Sequence, residues 1–172
     1  MMFESLIRTI PDYPKAGIQF RDITTLLQDK QGFSAAIDRL SKQFEQHTFD
    51  KIVAMEARGF IIGAALAVKL GIGFVPARKP GKLPWATVSQ AYTLEYGIDT
   101  LEMHEDAIKP GERILLVDDL IATGGTALAV VTLVRQLGGV LEQAAFVIDL
   151  PELGGMQQLA NAGVQGFALC QF

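Results

Sequence analysis

The chain has a single cysteine, Cys170, in 172 residues, which excludes an internal disulfide and fits a reducing compartment. Near the end of the last apolar stretch, that thiol reads as a small packed hydrophobe rather than a nucleophile. Histidine is almost as scarce. His47 and His104 lack the spacing of metal ligands and read as surface residues. Long hydrophobic runs are absent: the uncharged segment Leu120 to Val134 contains Thr-Gly-Gly-Thr and is too short to span a bilayer. Met1-Met-Phe-Glu-Ser shows no basic region followed by an apolar core, so no signal peptide is evident. Positive charge is not in excess, with 15 Lys and Arg against 19 Asp and Glu, a net charge of −4 that argues against an extended nucleic-acid surface. Internal repeats and low-complexity tracts are missing. These absences leave a cytoplasmic protein without membrane or nucleic-acid partners. Its length fits one domain, residues 1–172, with 49% hydrophobic residues to build a core.

What is present alternates between strand-like and helix-like segments. Phe33, Ile37, Leu40 and Phe44 share one helical face. Lys51 to Met55 reads as a strand, Phe60 to Leu70 as an alanine-rich helix, and Gly73 to Ala77 as a strand. Arg78 to Gln90 has no clear period and reads as a long loop. Ala91 to Glu95 and Thr100 to His104 read as a hairpin. Further strands are expected at Arg113 to Val117, Val140 to Asp149 and Gly166 to Cys170, with helices at Ala127 to Leu137 and Met156 to Asn161. This order implies an α/β fold with a mainly parallel, doubly wound sheet flanked by helices. The segment from Pro11 to Asp22, punctuated by Pro and Gly, reads as a small N-terminal flap, so that residues 1–32 form a hood over the sheet.

The most informative stretch is Ile114-Leu-Leu-Val-Asp-Asp-Leu-Ile-Ala-Thr-Gly-Gly-Thr126. An apolar strand ends in two carboxylates, Asp118 and Asp119, and a loop of small residues then opens a helix. Backbone N–H groups at a helix start lack intrahelical partners, and the helix dipole adds about 0.3–1 kcal/mol for an anion. Charge-assisted N–H bonds, at about 1.5–3 kcal/mol each, contribute more, so the loop does most of the holding. Neither Walker A nor Gly-x-Gly-x-x-Gly is present. Paired carboxylates suit vicinal hydroxyls, which makes a sugar phosphate a better ligand than bare phosphate.

Three further segments carry chemistry. Met55-Glu-Ala-Arg-Gly-Phe60 places Arg58, a planar fork of donors suited to phosphate, at another strand-to-helix junction. Arg78-Lys-Pro-Gly-Lys82 holds three cations and no anion, and reads as a lid for an anionic ligand rather than a merely solvated face. Trp85, in the same loop, is either an anchor for the closed lid or a subunit contact. Tyr92-Thr-Leu-Glu-Tyr-Gly97 taken alone is ordinary surface decoration.

Together these segments resemble the adenine phosphoribosyltransferases over nearly the whole chain, from about Phe3 to Cys170. The matching pieces are Asp12-Tyr-Pro14, Phe20-Arg-Asp22, Glu56-Ala-Arg-Gly-Phe60, Arg78-Lys-Pro-Gly-Lys-Leu-Pro84, Leu94-Glu-Tyr-Gly97 and Asp118 to Thr126. The resemblance implies the type I phosphoribosyltransferase fold and transfer of 5-phosphoribosyl from phosphoribosyl pyrophosphate (PRPP) to adenine, giving AMP and pyrophosphate. It further implies a Mg²⁺ requirement, the ion being carried by PRPP with no direct protein ligand, and a homodimer. By matching position, Ala122, Thr123, Gly124, Gly125 and Thr126 hold the 5′-phosphate. Asp118 and Asp119 take the ribose, and Arg58, Arg78, Lys79 and Lys82 meet the pyrophosphate. Adenine lies between Phe20 and Leu120 and is read by the backbone of Gln19 and Arg21. Glu95 is the acid/base.

Ala16 and Gln19 depart from the family pattern, where a proline and an aliphatic residue are usual. Two other readings remain: a regulator that binds PRPP without turnover, and a transferase acting on a 6-oxopurine. The first conflicts with the retention of Glu95, Arg78 and Lys82, the second with the segment around Phe20.

Overall fold

The computed structural model describes residues 2–94 and 97–172. Its centre is a five-stranded, wholly parallel sheet of β3 (Lys51–Met55), β4 (Gly73–Ala77), β7 (Arg113–Ile121), β8 (Val140–Asp149) and β9 (Gln165–Gln171), in the order β4-β3-β7-β8-β9. The interior strands are apolar on both faces, as a sheet covered on both sides requires: Ile52, Val53, Ala54, Leu115, Leu116 and Val117 have no solvent exposure. Helices α1 (Thr24–Gln28), α2 (Lys30–Gln43) and α3 (Arg58–Leu70) lie on one face. There Ile37, Leu40, Ile62 and Leu66 pack against Ile52, Leu115 and Val147. The expected stripe holds, with Ile37, Leu40 and Phe44 buried, and Asp29 caps α2 by accepting the Gly32 N–H at 2.6 Å.

The other face is covered by α4 (Gly125–Gln136), α5 (Gly155–Asn161) and the antiparallel hairpin of β5 (Thr87–Thr93) and β6 (Ile98–His104). Leu101 and Met103 of the hairpin reach the core, and Val88 and Tyr92 pack against it. The hairpin begins four residues before the expected Ala91, so the irregular run after β4 ends at Ala86. His104 is half-buried rather than superficial, its Nε2 accepting the Trp85 N–H at 3.3 Å. Cys170 is 4% exposed in the core and donates to the Val147 carbonyl at 3.3 Å, and its buried thiol is pushed up to about 12.

The hood is a two-stranded antiparallel ribbon, β1 (Arg8–Pro11) with β2 (Gln19–Asp22), in which Ile10 faces Phe20 and Thr9 faces Arg21. Its C-terminal strand is tied down by the Arg21 guanidinium, 4.3 Å from the centre of the Phe172 ring. Two connections set the position of a ligand. From β3 the chain passes through α3 outward to β4. From β7 it passes through α4 in the opposite direction to β8. The order of the sheet therefore reverses between β3 and β7, and the crevice beyond their carboxyl ends is where open α/β sheets bind ligands.

Candidate active site

A cavity of about 280 Å³ opens at that reversal. Its walls are the residues following β3 (Glu56, Ala57, Arg58), the end of β7 with the loop after it (Asp118 to Thr126), and Lys79 and Tyr92 from the opposite side. β7 continues to Ile121, four residues beyond the expected end, so Asp118 and Asp119 belong to the strand and not to the loop. Pairing of Leu120 with Ile148 and of Ile121 with Asp149 accounts for the extension.

The acidic pair is tightly enclosed. Asp119 is 6% exposed and receives the Arg58 Nε at 2.8 Å. Asp118 Oδ1 accepts the Asp119 N–H at 2.8 Å and lies against Gly59, where a Cβ would come within 2.6 Å of it. Only glycine lets the start of α3 approach this strand end. Removal from water, and then the neighbouring Asp119 charge, push the Asp118 carboxyl well above its ordinary range.

Beyond the pair, Gly124 adopts φ 91°, a left-handed conformation natural to glycine, and turns the chain into α4. No side chain caps this helix, and its first closing bond runs from the Leu128 N–H to the Gly124 carbonyl. The N–H groups of Gly125, Thr126 and Ala127 therefore precede the helical ladder at the cavity wall, as an anion site requires. The Gly155 N–H holds the Ala122 carbonyl at 2.9 Å and fixes the loop from behind.

The cationic segment is pinned rather than loose. Arg78 exchanges two backbone hydrogen bonds with Glu102 of β6, at 2.9 and 2.7 Å, and Gly81 N–H donates to Glu102 Oε2 at 3.2 Å. Glu56 Oε1 accepts the Lys79 N–H at 2.6 Å, Glu56 Oε2 accepts from Lys82 Nζ at 3.2 Å, and Arg78 Nε lies 3.6 Å from Oε1. Burial pushes the Glu56 carboxyl up, but the Lys79 N–H and the Lys82 and Arg78 charges outweigh it, leaving Glu56 below its ordinary value. Lys79 Nζ bonds Asp99 and lies 3.2 Å from the Tyr92 hydroxyl.

Of the residues picked out in the sequence, Arg58, Lys79, Asp118, Asp119, Leu120 and Ala122 to Thr126 line one cavity. Arg78 and Lys82 are not among its lining residues but pair with Glu56, which is. Arg58 turns to the acidic pair and not to the other three cations, and its guanidinium lies 5.1 Å from the centre of the Phe20 ring. That contact brings the half-buried Phe20 of the hood next to the wall, while Arg21 is half-buried and Gln19 exposed. Glu95 falls outside the described residues. Sequence reasoning missed Glu56, Tyr92 and Asp99 as site residues. For Glu56 a signal existed, since it is the first residue after a buried strand and two positions before Arg58.

A parallel sheet that reverses at an acid pair and a glycine loop defines a phosphoribosyltransferase architecture, and comparison with known proteins agrees. The model of the phosphoribosyl transferase domain family matches residues 24–152. An adenine phosphoribosyltransferase of Vibrio cholerae is 57% identical over 171 residues, spanning 99% of this chain and 94% of that protein. The crystal structure of adenine phosphoribosyltransferase from Thermoanaerobacter pseudethanolicus superposes with a TM-score of 0.95 at 49% identity, covering 99% of this chain and 98% of that one. The Saccharomyces cerevisiae enzyme, solved with an imino-altritol bisphosphate and adenine, gives a TM-score of 0.91 at 38% identity, covering 98% and 96%. The chain belongs to the phosphoribosyltransferase family and, within it, to the adenine phosphoribosyltransferases.

Proposed function

We infer that this chain transfers the 5-phosphoribosyl group of PRPP to adenine, giving AMP and pyrophosphate. The observation that carries the reading is the enclosed pair Asp118–Asp119 beside the uncapped loop Ala122 to Thr126, at the reversal of the sheet. The loop takes the 5′-phosphate through its N–H groups and the Thr123 and Thr126 hydroxyls, and the two carboxylates accept from the ribose hydroxyls. Arg58, Arg78, Lys79 and Lys82 meet the pyrophosphate. Adenine lies between Phe20 and Leu120, with the Gln19 and Arg21 backbone at its edge. A backbone carbonyl accepting from the 6-amino group would face a lone pair in a 6-oxopurine, and such a mismatch discriminates by roughly 10⁴ where a site is built for it.

Breaking the C1′–oxygen bond leaves positive charge on the ribose ring and negative charge on the departing pyrophosphate. The fixed cations stabilise the latter. Glu95 manages the proton on the purine imidazole as its other nitrogen attacks.

Asp118 and Asp119 at the cavity wall offer hard oxygens of the kind a hydrated Mg²⁺ accepts. The donors fit an ion carried in on PRPP oxygens, which would add positive charge against the leaving group.

We further propose that residues 1–172 work as one domain, with 1–32 as its hood, and pair into a homodimer. Exposed apolar groups such as Ile61 (45% exposed) and Val68 (84%) on α3, and Phe74 (36%) on the edge strand β4, support pairing. The free, buried Cys170 suits the cytoplasm, and no helix among the described residues is long and apolar enough to cross a membrane.

The test is turnover of PRPP with adenine, hypoxanthine, guanine and orotate in parallel, with and without Mg²⁺. AMP formed from adenine alone, and only with Mg²⁺, is expected. Activity on a 6-oxopurine would reject the base-reading argument, and binding of PRPP without any turnover would reject the enzyme.

A further inference from the structure

Glu56 is a carboxylate set among the cations that an anionic ligand needs. Its side chain is 11% exposed, at the cavity wall, within reach of Lys82 Nζ at 3.2 Å and of Arg78 Nε at 3.6 Å. The second distance is an ion pair but too long for a hydrogen bond, and Arg78 Nε is buried without any hydrogen-bond partner. The backbone of this segment does not depend on the Glu56 charge alone, because Glu102 holds Arg78 and Gly81 from the other side. What Glu56 adds is a negative charge where an incoming polyanion meets positive charge. Each contact a pyrophosphate group makes with Lys82 or Arg78 is made at the expense of one with Glu56.

We propose that Glu56 is a positioning residue that pre-pairs Arg78 and Lys82, so that pyrophosphate gains these cations by displacing the Glu56 carboxylate and leaves as the carboxylate takes them back. The proposal rests on the pyrophosphate role given above to these cations. Asp99 does the same for Lys79 from the hairpin, with the Tyr92 hydroxyl beside it. The arrangement weakens the hold on pyrophosphate, which favours its release after transfer.

The test is Glu56→Gln in the full chain, which retains an oxygen for the Lys79 N–H and removes only the charge. Pyrophosphate titrated calorimetrically is expected to bind about three- to tenfold tighter than to the wild type, the range set by partly screened pairs. Its product inhibition should strengthen by the same factor, with KM for PRPP and kcat both lowered. Glu56→Asp, which shortens the reach to Lys82, should move the affinity in the same direction and serves if the first variant folds poorly. Affinity equal to or weaker than wild type in both variants overturns the proposal. A wild type that makes AMP alongside such unchanged variants removes only the role of Glu56. A wild type that neither makes AMP nor binds pyrophosphate removes the parent reading as well.

Discussion

The two ends of strands β3 and β7 carry similar residues and opposite electrostatics. At their amino ends, Lys51 Nζ donates to Glu112 Oε2 and to the Ala107 carbonyl, both at 2.8 Å. Asp50 Oδ2 accepts the Arg113 N–H at 2.7 Å, and Arg113 Nε reaches the Thr48 carbonyl at 3.1 Å. Hydrogen bonding from Lys51, then from the Lys109 N–H, holds the Glu112 carboxyl below its ordinary value. At the carboxyl ends, Asp118 is pushed above its ordinary value beside a second carboxylate, and Glu56 shares three basic residues that the proposed ligand also uses. Charges at the amino end lower the energy of the fold. Asp118 at the carboxyl end raises it, through its removal from water and the Asp119 charge beside it. Stability and function occupy opposite ends of the same two strands, so substitutions at the two ends should fail in opposite ways.

The largest expected effect is at Glu95. Glu95→Gln should lower kcat by about 10²–10⁴ with little change in KM for adenine, measured in steady-state assays. Near-normal turnover removes Glu95 from the chemistry. Next comes Asp118→Asn, which retains an acceptor for the Asp119 N–H. It should lose most activity yet melt higher at neutral pH, by about 2–4 °C for each kcal/mol regained. A group whose folded pKa is raised contributes stability below its unfolded value, near 3.8, and that contribution is lost as pH rises through the folded value. The difference in melting temperature should therefore shrink on acidification towards pH 4. A variant that melts lower at pH 7 breaks the comparison at its centre.

How far the sequence discloses this division differs between elements. Strands β3, β4 and β8 have the bounds read from the sequence, and in β3 the buried run Ile52 to Met55 makes the border sharp. The apolar run of β7 stops at Val117 and the acid pair marks the strand's end in the sequence, whereas pairing with β8 carries the strand on to Ile121. Thr87 to Gln90 shows no readable alternation, and its pairing with Leu101 and Met103 supplies the regularity. The N-terminal flap was legible as something apart from the core, but its ribbon was not, since Pro and Gly mask period-two patterns. At the site, local signals bring Arg58 and the loop after β7 to the one cavity wall they share. The part of Glu56 depends on Arg78 and Lys82 arriving from the connection after β4, which only the fold supplies.

Two smaller effects sharpen the contrast. Lys82→Ala should raise KM for PRPP by several-fold, in line with one partly exposed charge contact, while AMP binding changes less. Equal losses for both ligands count against a pyrophosphate role. The smallest is Glu112→Gln, remote from the cavity. Its pair with Lys51 is mostly enclosed, the side chains being 20% and 24% exposed, so the loss should be about 0.5–1 kcal/mol with kcat and both KM values unchanged. Here the sign reverses relative to Asp118. A depressed carboxylate contributes stability above its unfolded value, near 4.5, and loses it as pH falls through the folded one. The variant should thus melt below the wild type at pH 7 and converge with it under acid. If Glu112→Gln instead impaired turnover at constant stability, the two ends would not be separable, and the division of labour along the strands would fail.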